Sequence, residues 1–271
     1  MPTVTSKDGS IIGFDKTGHG PAVILINGAM SYRWAVDPTL AQLAELLSKD
    51  FTVYNFDRRG RGESTDNSTL DSFTKAREIE DVQALINDAG GKAMLVGFSS
   101  GSAIALETAA ITPEVSKVAV YEAPFIVDDG RAPLKDYLGD TSKLVAEGKL
   151  DELVEYFIVT VAGMPTEFIS GMKQDQNFWN SMKAIAPTIV HDATFMTEFM
   201  KGNPLPDDYW SKVTVPVLVA DGGASPSWMH SAAEALAAQL PNVSRHTLEG
   251  QTHAIDPQVI APVLSEFFKK K

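Results

Sequence analysis

The chain has 271 residues, enough to bury one large core, and its composition disfavours several classes of function. Its 35 acidic residues outnumber the 23 basic ones and give a net charge of −12, so nucleic acid and anionic membranes are unfavourable partners because both would repel it. The chain contains no cysteine, so we expect no disulfide, no cysteine-bound metal and no thiolate nucleophile. The expected partner is a small-molecule substrate, and the sequence leaves the oligomeric state open.

Targeting and cofactor motifs are also missing from the sequence. The N-terminal stretch MPTVTSKD lacks the basic start and apolar segment of a signal peptide, and no apolar run approaches the roughly 18 residues of a membrane span. Neither H-E-x-x-H nor a G-x-G-x-x-G after a strand occurs. The sequence therefore predicts a cytoplasmic protein with no metal and no organic cofactor.

The first half of the chain alternates β-rich runs with helical stretches. Between residues 11 and 125 this alternation is typical of a parallel sheet with crossover helices. The continuous apolar run at 22–26 predicts a strand covered on both faces. The other predicted elements are a helix through Val36, Leu40, Leu43 and Leu47, a strand at 51–56, a helix through Ile79, Val82 and Ile86, a strand at 92–97, a helix at 100–110 and a strand at 115–121.

The pattern changes between residue 125 and about residue 210, where helical segments rich in Met and aromatic residues replace the β-runs. Alternation then resumes with a strand at 215–219, a helix at 228–240, a strand at 243–248 and a last helix. Asp256 is the expected N-cap of that helix and Pro257 its first residue. The sequence predicts one α/β core, residues 1–124 and 211–271, with a helical cap inserted at 125–210.

The most informative motif is GFSSG at residues 97–101. It follows the predicted strand at 92–97 and begins the predicted helix at 100–110, so Ser99 is expected on a sharp turn between them. In a G-x-S-x-G turn of this kind the glycines leave room for a tight backbone, and the serine hydroxyl is exposed above the sheet. The motif predicts that Ser99 is a nucleophile whose proton is accepted by a histidine.

A histidine in a suitable position occurs in the loop before the last helix. Residues 250–253 read GQTH, which puts His253 between the last predicted strand and the last predicted helix. With the GFSSG elbow, the NGA turn at 27–29 and the DRRGRGES loop at 57–64, the chain resembles the α/β-hydrolase superfamily from about residue 11 to residue 268. The resemblance implies the α/β-hydrolase fold, with Ser99 as nucleophile and His253 as general base.

The resemblance also requires an acid, and here the sequence departs from the commonest pattern. A strand followed by G-x-x-D is usual, but the corresponding position is Ser225, which carries no negative charge. Some members of the superfamily, the haloalkane dehalogenases among them, have the acid after the preceding strand, where this chain has Glu122. Glu122 is therefore the predicted acid and Asp221 the alternative, and other acids such as Asp128 stay open.

The resemblance further implies two backbone donors for the oxyanion that forms when the serine attacks. These are the N–H group of Ser100, next to the nucleophile, and that of Ala29, in the turn after the early apolar strand. Many relatives have His-Gly in this turn, where this chain has Asn27 and Gly28. We interpret the charged, glycine-rich loop at 57–64 as structural.

Together these residues predict a serine hydrolase that cleaves a small, largely apolar carboxylic ester or lactone through an acyl-enzyme intermediate. The apolar preference is inferred from the Met and aromatic residues of the predicted cap. The superfamily uses the same triad for carbon–carbon bond hydrolysis, acyl transfer, perhydrolysis and lyase reactions, so these stay open. A non-catalytic member that only binds a small ligand stays open as well.

Overall fold

A computed structural model describes residues 2–33 and 38–270 of the chain. These residues include eight strands of one sheet. The strands are β1 (Thr3–Thr5), β2 (Ile11–Gly18), β3 (Ala22–Ile26), β4 (Thr52–Phe56), β5 (Ala93–Phe98), β6 (Val115–Tyr121), β7 (Val217–Gly222) and β8 (Val243–Leu248). Their order across the sheet is β1-β2-β4-β3-β5-β6-β7-β8. β2 is antiparallel to β1 and β4, and the other neighbouring pairs run parallel.

The described residues also form ten α-helices. They are α1 (Thr39–Leu47), α2 (Lys75–Asp88), α3 (Gly101–Ile111), α4 (Tyr137–Ala146), α5 (Leu150–Glu155), α6 (Glu167–Gln174), α7 (Gln176–Ile185), α8 (Ile189–Met196), α9 (Ser227–Gln239) and α10 (Pro257–Lys269). A π-helical segment spans Tyr156–Val161, and short 3-10 turns span Ala186–Thr188 and Thr197–Met200. A mostly parallel sheet flanked by helices is the α/β fold that the sequence predicts, and this prediction is confirmed.

The sheet is covered on both faces, as the run at 22–26 predicts. β3 and β5 are buried along their whole length. Val23 and Leu25 pack with α1 and α10 in one hydrophobic cluster, whereas Ile24 and Ile26 pack with α2 and α3 in a second cluster. Because successive side chains of a strand point to opposite faces, the two clusters lie on opposite sides of the sheet.

One edge of the sheet contains two strands that the sequence does not predict. No pattern indicated β1 or β2, because β1 has only three residues and the second half of β2 is polar and largely exposed. Val36, expected in the first helix, lies outside the described residues. At the other end of the chain, Asp256 caps α10 by accepting a hydrogen bond from the Gln258 N–H at 2.8 Å, as predicted.

Between β6 and β7 the described chain contains helices and turns but no strand. Buried side chains of this segment, Leu153, Trp179 and Phe199, belong to the same hydrophobic cluster as Ile24 of the sheet. The helical segment is therefore continuous with the core beneath it. The boundaries of a separate cap at residues 125 and 210 stay a prediction.

Candidate active site

Ser99 lies on the turn between β5 and α3 with a backbone φ of +53°. Residues other than glycine seldom adopt positive φ, so the turn is strained. Two glycines permit it: a Cβ at Gly97 would lie 2.5 Å from the Gly101 carbonyl oxygen, and a Cβ at Gly101 would lie 2.3 Å from the Ile26 carbonyl oxygen. No larger residue fits at either position, which explains the spacing of the GFSSG motif in steric terms.

Glu122 and His253 form a hydrogen-bonded pair beside this turn. Glu122 follows β6 and is buried, and its Oε2 lies 2.8 Å from Nδ1 of His253. The Gly222 N–H, at the end of β7, donates to the other carboxylate oxygen at 2.8 Å. The loop that carries His253 is fixed by a hydrogen bond from the Tyr121 hydroxyl to the Thr252 carbonyl at 2.7 Å. Neighbouring strand ends thus hold the carboxylate and the imidazole in contact.

The charge of Glu122 follows from these contacts. Burial raises the pKa of the Glu122 carboxyl, but hydrogen bonds from His253 and from the Gly222 N–H outweigh burial and hold the pKa below its usual value. An ionised carboxylate only accepts hydrogen bonds, so Nδ1 of His253 is the donor. In a neutral imidazole this leaves Nε2 free to accept a proton.

Asp221 and Asp128, the other acids considered from the sequence, have different surroundings. Asp221 is fully buried, and its Oδ2 lies 2.5 Å from Nδ1 of His230, a residue of α9. Its Oδ1 accepts from Arg245 at 3.4 Å and from Thr247 at 3.1 Å. Asp128 accepts a hydrogen bond from the Gly130 N–H. The structure therefore brings Glu122, and not Asp221, into contact with His253.

A cavity of about 400 Å³ opens over the elbow. Ser99, Glu122 and His253 all line it. Most of its wall is apolar. The segment predicted as a cap contributes Phe157, Val161, Met196 and Met200, and the rest of the chain contributes Phe98, Trp228, Met229 and Ile255. The volume is in the range of small-molecule sites, which run from about 300 to 1,000 Å³.

The two expected oxyanion donors border the same cavity. Ala29 and Ser100 both line it. Gly28, the residue before Ala29, packs against the elbow so closely that a Cβ there would lie 2.9 Å from the Cβ of Ser99. Asn27 is buried, and its side-chain amide donates to the Phe56 carbonyl at 3.4 Å. The turn at 27–29 therefore lies directly beside the serine.

Sequence reasoning did not identify Asp192, which also lines the cavity. This residue of α8 contacts Arg58 and Arg61 of the loop that we interpreted as structural, and it accepts a hydrogen bond from the Ser100 hydroxyl at 2.6 Å. One signal in the sequence was available. Asp192 is an acid within the largely apolar stretch Ile189–Met196, where a charged side chain requires a buried partner.

Two further features concern metals and membranes. Within residues 2–33 and 38–270, no group of three or more His, Cys, Asp or Glu side chains converges as a metal site. Over the same residues, no helix combines the length and the apolar character needed to cross a lipid bilayer.

The fold, the elbow and the cavity define an α/β hydrolase. A family model described as "Alpha/beta hydrolase family" matches residues 23–263, and the chain belongs to this family. The crystal structure of an alpha/beta hydrolase from Sphaerobacter thermophilus DSM 20745 is similar over 99% of this chain and 100% of that chain, with 41% identity and a TM-score of 0.87.

Other similar proteins have named activities. The pimeloyl-[acyl-carrier protein] methyl ester esterase of Xanthomonas campestris pv. campestris is 34% identical over 110 residues, which cover 40% of this chain and only 39% of that protein. An enol-lactonase from Burkholderia xenovorans LB400 is 16% identical with a TM-score of 0.71, and covers 99% of this chain and 100% of its own. At that identity the likeness shows the fold alone.

Proposed function

We propose that this protein is a serine esterase that cleaves a small, largely apolar carboxylic ester or lactone through an acyl-enzyme intermediate. The observation on which the proposal depends is that the Glu122–His253 pair and the strained Ser99 turn line one cavity. Membership of a hydrolase family supports the reaction class. The name of the Xanthomonas relative, a methyl ester esterase, agrees with it over the aligned part of the chain.

In the first half of the reaction, Ser99 Oγ attacks the ester carbonyl while Nε2 of His253 takes the hydroxyl proton. Glu122 accepts from Nδ1, which keeps the imidazole in the required tautomer and stabilises its cation. The proton then passes from His253 to the leaving alcohol, and an acyl group remains on Ser99. In the second half, His253 takes a proton from water, the hydroxide attacks the acyl group, and the acid departs as Ser99 regains its proton.

The negative charge of the tetrahedral intermediate needs donors aimed at it in advance. The N–H groups of Ala29 and Ser100 have this role in the proposal, because both residues line the cavity beside Ser99. Loss of one such donor typically costs a hundredfold to a thousandfold in kcat, or roughly 3 kcal/mol of activation free energy.

The substrate class follows from the wall of the cavity. Phe157, Met196, Met200 and Trp228 provide apolar contact area, and Met side chains adapt to irregular ligands. Where the substrate contacts these side chains, such a wall favours an uncharged acyl or alcohol group, because they offer a charge no compensating partner.

The direct test compares hydrolysis of short-chain p-nitrophenyl esters by the natural protein and by Ser99→Ala. We expect Ser99→Ala to lose at least about a thousandfold in kcat. Ser102→Ala is the matched control, because it removes a hydroxyl three positions further along the chain, in α3, that donates to the Gly97 and Tyr121 carbonyls. We expect it to retain kcat within a few fold. Equal turnover by Ser99→Ala and the natural protein would refute the proposal.

A further inference from the structure

Four buried charged side chains lie behind the turn at 27–29. Arg58 Nη1 contacts Asp192 Oδ1 at 2.7 Å, and Arg61 Nη2 contacts Asp192 Oδ2 at 2.5 Å. Glu78 accepts from Arg58 at 2.6 and 2.9 Å. None of these side chains is more than 1% exposed. Two guanidinium groups and two carboxylates balance in charge, and this balance makes their burial tolerable.

The two arginines also bond to the turn that bears one expected oxyanion donor. Arg61 Nη1 donates to the Gly28 carbonyl at 2.7 Å, and Arg58 Nη1 donates to the Asn27 and Gly28 carbonyls at 3.2 and 3.3 Å. The Gly28 carbonyl and the Ala29 N–H belong to one planar peptide group, and in a trans peptide they point in opposite directions. A fixed carbonyl direction therefore fixes the direction of the Ala29 N–H.

The arginines have an electronic effect on the same peptide. Hydrogen bonds from cations to the Gly28 carbonyl polarise the amide, so the N–H on its other side becomes a stronger donor. The site is buried, where such polarisation is less screened than in water. The arginines thus act on the donor without contacting the space in which the oxyanion would form.

Asp192 connects this arrangement to the second expected donor. The Ser100 hydroxyl donates to Asp192 Oδ1 at 2.6 Å, the same oxygen that contacts Arg58. Ser100 precedes the first turn of α3 and provides its own N–H to the oxyanion in the proposed mechanism. Arg58 and Arg61 hold the pKa of Asp192 at about 2 despite its burial, so its carboxylate is charged at neutral pH.

We infer that Arg58, Arg61 and Asp192 form a positioning cluster that aims the N–H groups of Ala29 and Ser100 at the oxyanion. The inference deepens the proposed function and rests on it. Asp192 comes from α8 of the helical segment between β6 and β7, whereas the arginines come from the loop after β4. Correct packing of α8 against α2 and α3 is therefore a condition for a competent oxyanion hole, and these side chains are positioning residues.

The test compares Arg61→Met with Arg59→Met on a nitrophenyl ester. Arg59 is a matched control, since it lies in the same loop, is equally buried, and pairs with Asp81 at 2.6 Å. Its hydrogen bonds go to Asp8, Asp66, Asp81, Ser6 and the Arg77 carbonyl, away from the turn at 27–29. We expect Arg61→Met to lower kcat by about ten- to a hundredfold with KM nearly unchanged, because a donor is misaligned and not deleted.

Three further measurements separate positioning from loss of fold. Melting curves identify the temperature at which both variants are folded, and rates are compared there. A trifluoromethyl ketone that adds to Ser99 as an oxyanion is expected to lose about the same factor in affinity for Arg61→Met as kcat does. Asp192→Asn is expected to show the same kcat-selective loss, and Arg61→Lys to recover part of it by keeping the charge.

The outcomes distinguish the two proposals. If the natural protein depends on Ser99 for turnover but Arg61→Met and Arg59→Met are equally active, the positioning cluster is refuted and the esterase proposal stands. A rise in KM with unchanged kcat for Arg61→Met would refute the positioning role of the cluster in the same way. If the natural protein neither hydrolyses esters nor binds the ketone at Ser99, the esterase proposal fails and the inference fails with it.

Discussion

Two carboxylate–histidine pairs lie at the ends of adjacent parallel strands, Glu122 with His253 after β6 and Asp221 with His230 in β7. Each carboxylate is buried and contacts Nδ1 of its imidazole. Only the first pair lines the cavity with Ser99. A carboxylate–imidazole contact therefore defines a general base only where a nucleophile and room for a substrate are present.

The surroundings of the two pairs differ in a second respect. Asp221 also contacts Arg245 and Thr247, so its charge is shared among several partners that connect β7, β8 and α9. Glu122 contacts His253 and the Gly222 N–H, and the Ser225 side chain also lowers its pKa. We therefore expect the Asp221 pair to contribute to stability and the Glu122 pair to contribute to turnover.

The largest expected effect is the difference in kcat between variants of the two histidines. His253→Gln is expected to lose at least about ten-thousandfold in kcat because no group remains to accept the serine proton. His230→Gln is expected to retain kcat within a few fold. Steady-state hydrolysis of a nitrophenyl ester measures both, and a larger loss for His230→Gln would reverse the roles of the two pairs.

The next effect concerns the carboxylates. Glu122→Gln is expected to lower kcat by about a thousandfold or more, since the amide no longer favours the required tautomer. Asp221→Asn is expected to change kcat by only a few fold but to lower the free energy of unfolding by about 1.5–3 kcal/mol, as for a lost hydrogen bond to a charged group. Parallel kinetics and urea unfolding test this, and the opposite ranking would make Asp221 the acid.

The smallest effect is a dependence of stability on pH. Because the pKa of Glu122 is lowered in the folded state, its carboxylate stabilises the fold above the pKa of the unfolded chain, and this is lost as pH falls through the folded value. The stability difference between the natural protein and Glu122→Gln should therefore be full above the pKa of a glutamate in the unfolded chain, about 4.3, and should shrink as the pH falls below it. Urea unfolding across this range measures it.

Ser102→Ala is the control for the pH series, because it changes no ionisable group. Its stability difference from the natural protein should stay constant with pH. A constant difference for Glu122→Gln as well would contradict the charged state assigned to Glu122.

The sequence predicts those features of the structure that depend on short stretches of neighbouring residues. The alternation of elements, the glycines around Ser99 and the N-cap at Asp256 depend on neighbouring residues, so the fold and the elbow can be read from short stretches. The roles of Ser99, His253 and Glu122 stay predictions, although the structure brings His253 and Glu122 into contact.

Contacts between distant parts of the chain explain what the sequence does not predict. Arg58 and Asp192 are 134 positions apart, and no periodicity relates a loop after β4 to a helix before β7. The loop at 57–64 was interpreted as structural, but only the structure shows that two of its arginines reach the Gly28 carbonyl. The edge strands β1 and β2 were missed because a short or half-exposed strand has little apolar pattern.

The most direct test of the esterase mechanism is mass spectrometry of the protein quenched during turnover of a nitrophenyl ester. The mechanism predicts a mass increase equal to the acyl group on the peptide that contains Ser99, absent from Ser99→Ala and retained by Ser102→Ala. Full turnover by Ser99→Ala, or an acyl group carried by another residue, would contradict it.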